Sequence, residues 1–128
     1  MPPGRRWRGG RGLEARPRQI RSFIEPALLL LLRQGASHGY ELMSGLASVG
    51  FGEYPVDPST VYRALDLLES EGMVISARDS FQSFGPPRRV YRLTPAGEAY
   101  LQAWVEELRL TDRVLHSFLQ RYDELSRR

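Results

Sequence analysis

The sequence predicts a mainly α-helical protein carrying a small β-hairpin, and three observations lead there. Three short helical patterns lie between residues 22 and 72, each bounded by glycines or capping residues. Two alternating runs, 73–79 and 89–93, flank a connection rich in Gly, Pro and Ser, the pattern of a hairpin with a long loop. A last helical pattern then runs unbroken from Pro95 to about Ser126.

The first helix begins near Ser22 and Glu25, which have capping-box spacing, and Ile24 to Leu32 is apolar on nearly every face. Such a helix belongs in a core. Pro26 falls in its first turn, where a missing N–H costs nothing, and Gly35 ends it. Ser37-His38-Gly39-Tyr40-Glu41 opens the second helix, with Leu42, Met43 and Leu46 inward and Gly50 and Gly52 at its exit. The third has Asp57 as N-cap and Pro58 at the first helical position, a strong start signal. Its Val61, Leu65 and Leu68 recur at helical spacing toward the core, with Leu67 beside them, and Gly72 terminates it. Ser59, Thr60, Arg63, Asp66 and Ser70 lie on the opposite side.

In the hairpin, the alternation sets Val74 and Ser76 against Val90 and Arg92, and Ile75 and Ala77 against Tyr91 and Leu93. Phe81 and Phe84 in the connection are expected to pack under it, the competing reading being contact with DNA sugar edges. Thr94-Pro95 caps the final helix, a rod of roughly 45 Å that a small head cannot cover along its length. Leu101, Trp104, Leu108, Thr111, Leu115, Phe118, Tyr122 and Leu125 follow one another in alternating steps of 3 and 4, a heptad seam widened by Val105, Val114 and Leu119. A stripe of this kind requires a covering surface, and a second copy of the chain is the economical one.

Composition narrows the chemistry. The 128 residues, 41% apolar, suffice for one domain plus an appended element. With no cysteine, disulfides, thiolate metal sites and cysteine nucleophiles are excluded. The longest apolar run, Pro26 to Leu32, is far short of the roughly 20 residues that span a bilayer, and residues 1–21 lack a signal-peptide core. A cytoplasmic location is therefore expected. Residues 1–21 hold seven arginines against Glu14 alone, net +6, whereas residues 22–128 hold eleven arginines against fourteen acids, net −3. The high isoelectric point thus belongs to the leader. Arginine suits phosphate and guanine edges, but a chain in which all 18 of these basic residues are arginine reads first as the product of a GC-rich genome.

Three helices, the last with a polar start, followed by a hairpin whose return strand opens with Arg88-Arg89, match a winged helix-turn-helix. These are the parts a small protein needs to enter a DNA groove and hold the flanking backbone. Arg63, one turn into the third helix, is placed to reach guanine edges, the competing reading being an ion pair with Asp66. Ser59 and Thr60 are candidate phosphate ligands at a helix N-terminus, and Tyr62 either touches phosphate or is half-buried. The leader (1–21) reads as an arm that adds backbone contacts or as a solubilising tail. His38 and His116 are far apart with no partner cysteine, so no metal site is expected, and no nucleophile–base set or phosphate-cradling glycine loop supports an enzyme. His38 is expected to cap the second helix or to lie in a loop.

At HGYEL (38–42), STVYRALDLLESEGMV (59–74) and PPRRVYRLTPAGEAYL (86–101), the chain resembles the PadR family of bacterial transcriptional regulators, in its short form with a single C-terminal helix. The tract FIEPALLLLLRQGASHGYEL is similar to members described as responding to polyhydroxybutyrate. The resemblance implies a winged-helix head at 22–94, a dimerisation helix at 95–128, and a dimeric repressor reading an inverted-repeat operator, with no cofactor. It implies DNA contacts from Ser59, Thr60, Tyr62 and Arg63 on the recognition helix, from Arg88 and Arg89 on the wing, and from Tyr40 to the backbone. Dimerisation would use Leu101, Trp104, Leu108, Leu115, Phe118, Tyr122 and Leu125. Some relatives stack flat aromatic effectors between paired tryptophans on this helix. Trp104 stands one turn before that position, which Leu108 occupies. The alternative from another class is a winged-helix module that binds a protein partner and no DNA.

Overall fold

A computed structural model describes residues 23–35, 37–52, 56–78 and 88–128. The leader, Ser22, Asp79 and the wing tip with Phe81 and Phe84 lie outside the described residues. The elements run α1 (Ile24–Arg33), β1 (Ser37–His38), α2 (Gly39–Gly45) continued by a 3₁₀ turn (Leu46–Val49), α3 (Pro58–Ser70), β2 (Val74–Arg78), β3 (Arg89–Leu93) and α4 (Pro95–Ser126).

Helix α1 is the central post. Its Ile24, Ala27, Leu28, Leu29 and Leu32 are buried, and it touches α2, α3, β3 and α4. Only Leu30, 42% exposed, breaks the all-round apolar expectation. From α3, Val61, Leu65 and Leu68 complete the core at zero exposure, as their spacing predicts. Each such side chain contributes roughly 1.5–3 kcal/mol by leaving water. Leu67 does not join them: one residue from Leu68 is about 100° around the helix, and it is 47% exposed.

The sheet differs from the expectation in two ways. It has three strands in the order β1-β3-β2, because Ser37 and His38 pair antiparallel with Tyr91 and Val90 before the chain turns into α2. A two-residue strand carries no alternation from which to be read. The hairpin register is also shifted by one residue. Val74 pairs with Leu93, Ser76 with Tyr91 and Arg78 with Arg89, whereas Ile75 faces Arg92 and Ala77 faces Val90. The slip exchanges the two faces. Val74 and Tyr91 therefore share the buried side, and Ile75 is exposed.

Helix α4 is rooted in the head by a tight joint. Thr94 caps it by accepting the Gly97 N–H at 2.9 Å. The Thr94 hydroxyl also lies 2.7 Å from the Gly72 carbonyl and 3.0 Å from that of Met73, and the Thr94 N–H donates to Met73 at 3.1 Å. A Cβ on Gly97 would collide with the Met73 carbonyl oxygen and stand 2.8 Å from Leu93 Cδ1. Two side-chain bonds tie the next turns of α4 to α1: Arg33 to Glu98 at 2.8 Å and the Tyr100 hydroxyl to Glu25 at 3.0 Å.

Leu101 belongs to this joint and not to a surface seam, since it is buried within the chain's own core. Trp104, Val105 and Leu108 are half-buried at the edge of the head, and from Arg109 onward every residue is exposed.

Two glycine substitutions separate close packing from backbone conformation. Gly97→Ala forces backbone to move and should cost about 3 kcal/mol, the upper range for overpacking. Gly72→Ala meets open space and only an unfavourable φ of +81°, and should cost about 1 kcal/mol. Equal urea midpoints for the two variants would contradict this account of the joint.

Candidate nucleic-acid interface

Three elements bring the predicted contact residues together. Helix α3 starts at Pro58 with Asp57 as N-cap, but the cap does not use the backbone amides. The Asp57 carboxylate instead accepts hydrogen bonds from the hydroxyls of Ser59, at 3.1 Å, and Thr60, at 2.5 Å. In this arrangement those hydroxyls present lone pairs outward and are acceptors, so they suit a base amino group or water better than a phosphate. The Thr60 hydroxyl, ahead of that of Ser59, holds the Asp57 carboxyl below its ordinary pKa.

One turn further on, Arg63 is exposed, and no ion pair with Asp66 forms among the described residues. Tyr62 is 40% exposed, and its ring lies over Gly39, the first residue of α2. A Cβ at Gly39 would stand 2.7 Å from the Tyr62 hydroxyl oxygen. A side chain at position 39 would therefore have to displace the Tyr62 ring.

The start of α2 is also fixed locally. Glu41 accepts the His38 backbone N–H at 3.2 Å and the Ser37 hydroxyl at 3.0 Å. The backbone bond from His38 is the main reason that the Glu41 carboxyl titrates below its usual range. This capping box leaves Tyr40 pointing outward, 47% exposed.

The wing base closes over Tyr40. Arg88 donates to the Tyr40 hydroxyl at 2.9 Å, and its guanidinium lies 4.8 Å from the ring centroid. Arg89 donates to the Ser76 hydroxyl at 3.0 Å, and Ser76 donates in turn to the Glu69 carboxylate of α3 at 2.9 Å. Arg88 is therefore held by α2, and Arg89 is tied through Ser76 to α3. The sequence reading found both arginines and Tyr40. Ser76 and Glu69 do not stand out in it, because the expected register sets Ser76 away from Tyr91 and Glu69 reads as a solvated charge on a polar helix face.

Near the head end of α4, Trp104 meets the Tyr100 ring edge-on at 6.4 Å, and its buried Nε1 has no hydrogen-bond partner among the described residues. No group of His, Asp or Glu that could hold a metal ion occurs among the described residues, and no described helix is long and apolar enough to cross a membrane.

A helix pair with a polar second helix, followed by a hairpin bearing arginines at its base, defines a winged helix-turn-helix of the nucleic-acid-binding class. Comparison with known proteins gives the family. The model of the PadR-like family of transcriptional regulators matches residues 28–103, and the chain belongs to that family. Members are DNA-binding regulators and not enzymes. The chain is 42% identical over 86 residues to the transcriptional regulator Rv3488 of Mycobacterium tuberculosis, covering 64% of this chain and 76% of the relative. The structure of a transcriptional regulator from Clostridium thermocellum superposes with a TM-score of 0.69 at 31% identity, over 78% of this chain and 93% of the other. Bacillus subtilis PadR, solved in complex with operator DNA, superposes with a TM-score of 0.57 at 27% identity, over 64% of this chain and 46% of its own.

The depressed carboxyls set the acid response of the helix starts. A group whose folded-state pKa lies below its unfolded value adds stability above the unfolded pKa, and loses it as pH falls through the folded value. For Asp57 and Glu41 that window lies below about pH 4. Asp57→Asn should therefore flatten the fall in urea midpoint between about pH 5 and pH 3. An unchanged pH profile would count against the Asp57–Thr60 cap.

Proposed function

We propose that this regulator binds an inverted-repeat operator as a homodimer and acts as a repressor. The observation that carries the dimer is the exposed apolar face of α4. Val114, Leu115, Phe118, Leu119, Tyr122 and Leu125 are each more than half exposed in the single chain. A contiguous apolar surface of this kind on a helix with heptad spacing fits a paired helix. Trp104 and Leu108 continue the seam toward the head, and Leu110, 53% exposed, widens it.

Two heads joined in this way would present two α3 helices to half-sites about one helical turn apart, ~10 bp. In each head Arg63 reads base edges, Arg88 and Arg89 hold the backbone at the wing, and Tyr40 sets the position of Arg88. Ser59, Thr60 and Tyr62 line the approach. The family and the operator-bound relative support DNA as the partner. An effector seated beside Trp104, whose indole N–H meets no acceptor among the described residues, would act by changing the separation of the heads. A regulator of transcription works in the cytoplasm of a bacterium.

A gel shift with DNA from upstream of the chain's own coding sequence tests the reading. Arg63→Ala should weaken binding by about 10- to 100-fold per copy of the chain, the range for one bidentate base contact. Combined replacement of Arg63, Arg88 and Arg89 by Ala should abolish retardation. Retained binding by the triple variant would favour a protein-binding wing. Independently, Phe118→Asp should convert a dimer to a monomer in light scattering with little change in head stability. A wild-type monomer at micromolar concentration would overturn the dimer.

A further inference from the structure

We propose that Arg78 is a further DNA-backbone contact, forming with Arg89 an arginine pair at the wing base that clamps two neighbouring phosphates, one for each guanidinium. The proposal rests on the DNA-binding reading above and adds a residue that neither the motifs nor the recognition helix bring to attention.

The argument starts from the register. Arg78 and Arg89 are directly opposite partners at the last rung of the β2–β3 ladder, so their side chains leave the same face of the hairpin. Like charges at directly opposed positions are unfavourable unless something neutralises them. Arg89 has a partial answer within the fold, through Ser76 to the Glu69 carboxylate. Arg78 is exposed and makes no hydrogen bond or ion pair among the described residues. One guanidinium of the pair is thus anchored and the other is uncommitted.

Position selects the ligand. The shared face is that of Val74, Ser76 and Tyr91, which packs on α3, and Ser76 reaches Glu69 of that helix. β2 leaves the end of α3 through the Gly72 turn and runs back along it, which carries Arg78 and Arg89 toward the helix's N-terminal half. Arg88, on the adjoining residue, is held against Tyr40 at the start of α2. Three guanidinium groups therefore gather at one end of the sheet in a body that is net −3 over residues 22–128. Each planar fork matches the oxygens of a phosphodiester, so the opposed pair suits two neighbouring phosphates. DNA lying along α3 would bring its backbone past this end of the sheet.

The salt dependence of binding provides the test. Each phosphate contact contributes about 0.9 to the slope of log K against log salt. Arg78→Gln should lower the slope by that amount per copy of the chain, on the upstream duplex and on unrelated duplex alike. Between 50 and 200 mM salt, affinity should then fall about 3.5-fold less per copy than for wild type. Arg78→Lys should keep the slope, and Arg127→Gln, at the far end of α4, should change nothing. Wild-type slope and affinity for Arg78→Gln, with wild type retarding the duplex, would overturn the clamp alone. Absence of any wild-type binding would overturn the DNA reading together with it.

Discussion

The closest constraint in this molecule is the contact between Gly97 and the Met73 carbonyl. It sets the first turn of α4 directly on the junction of α3 and β2, with no side chain between them. Thr94 closes the same junction by bonding to Gly72 and Met73 while capping α4. The recognition helix, the wing and the long helix thus meet within one turn of backbone. Because the Arg33–Glu98 and Tyr100–Glu25 bonds brace the next turns against α1, α4 cannot swing independently of the head. A change in how two α4 helices pair would therefore be delivered to α3 as rotation of a rigid body. That is the kind of transmission a two-state regulator requires.

The electrostatic arrangement follows from the same economy. The body beyond residue 21 is net acidic, so its attraction to a polyanion depends on where a few arginines stand and not on overall charge. The fold places Arg88 on Tyr40 and Arg89 on Ser76, restraining long side chains before any ligand arrives. Restraint of this sort lowers the ordering cost of binding. Near the tip of α3, Asp57 does the converse. Its carboxylate accepts the hydrogen bonds donated by the Ser59 and Thr60 hydroxyls, which leaves them only as acceptors.

Much of the fold was legible because its signals are local. Asp57-Pro58 and Thr94-Pro95 mark helix starts through one residue's chemistry, and Val61, Leu65 and Leu68 declare a buried face by spacing alone. The misreadings share one cause. Leu67, β1 and the hairpin register are each decided by which neighbour a residue meets, and a neighbouring strand leaves no trace in a two-residue segment or in a run where apolar residues occupy both faces. Leu101 shows the same limit on α4: the heptad pattern assigned it to the seam, but the head's own core reached it first.

By itself, then, the chain's order of residues determined the class of fold, the helix starts, the candidate arginines and the existence of a long apolar stripe. Periodicity and capping are properties of consecutive residues, and they need no partner to be read. The tertiary structure decided how those parts are used. It set where the stripe becomes available, which arginine is anchored and which is not, and why Gly97 must lack a side chain. Each of these depends on the distance between atoms brought together from remote segments, which only packing around α1 defines.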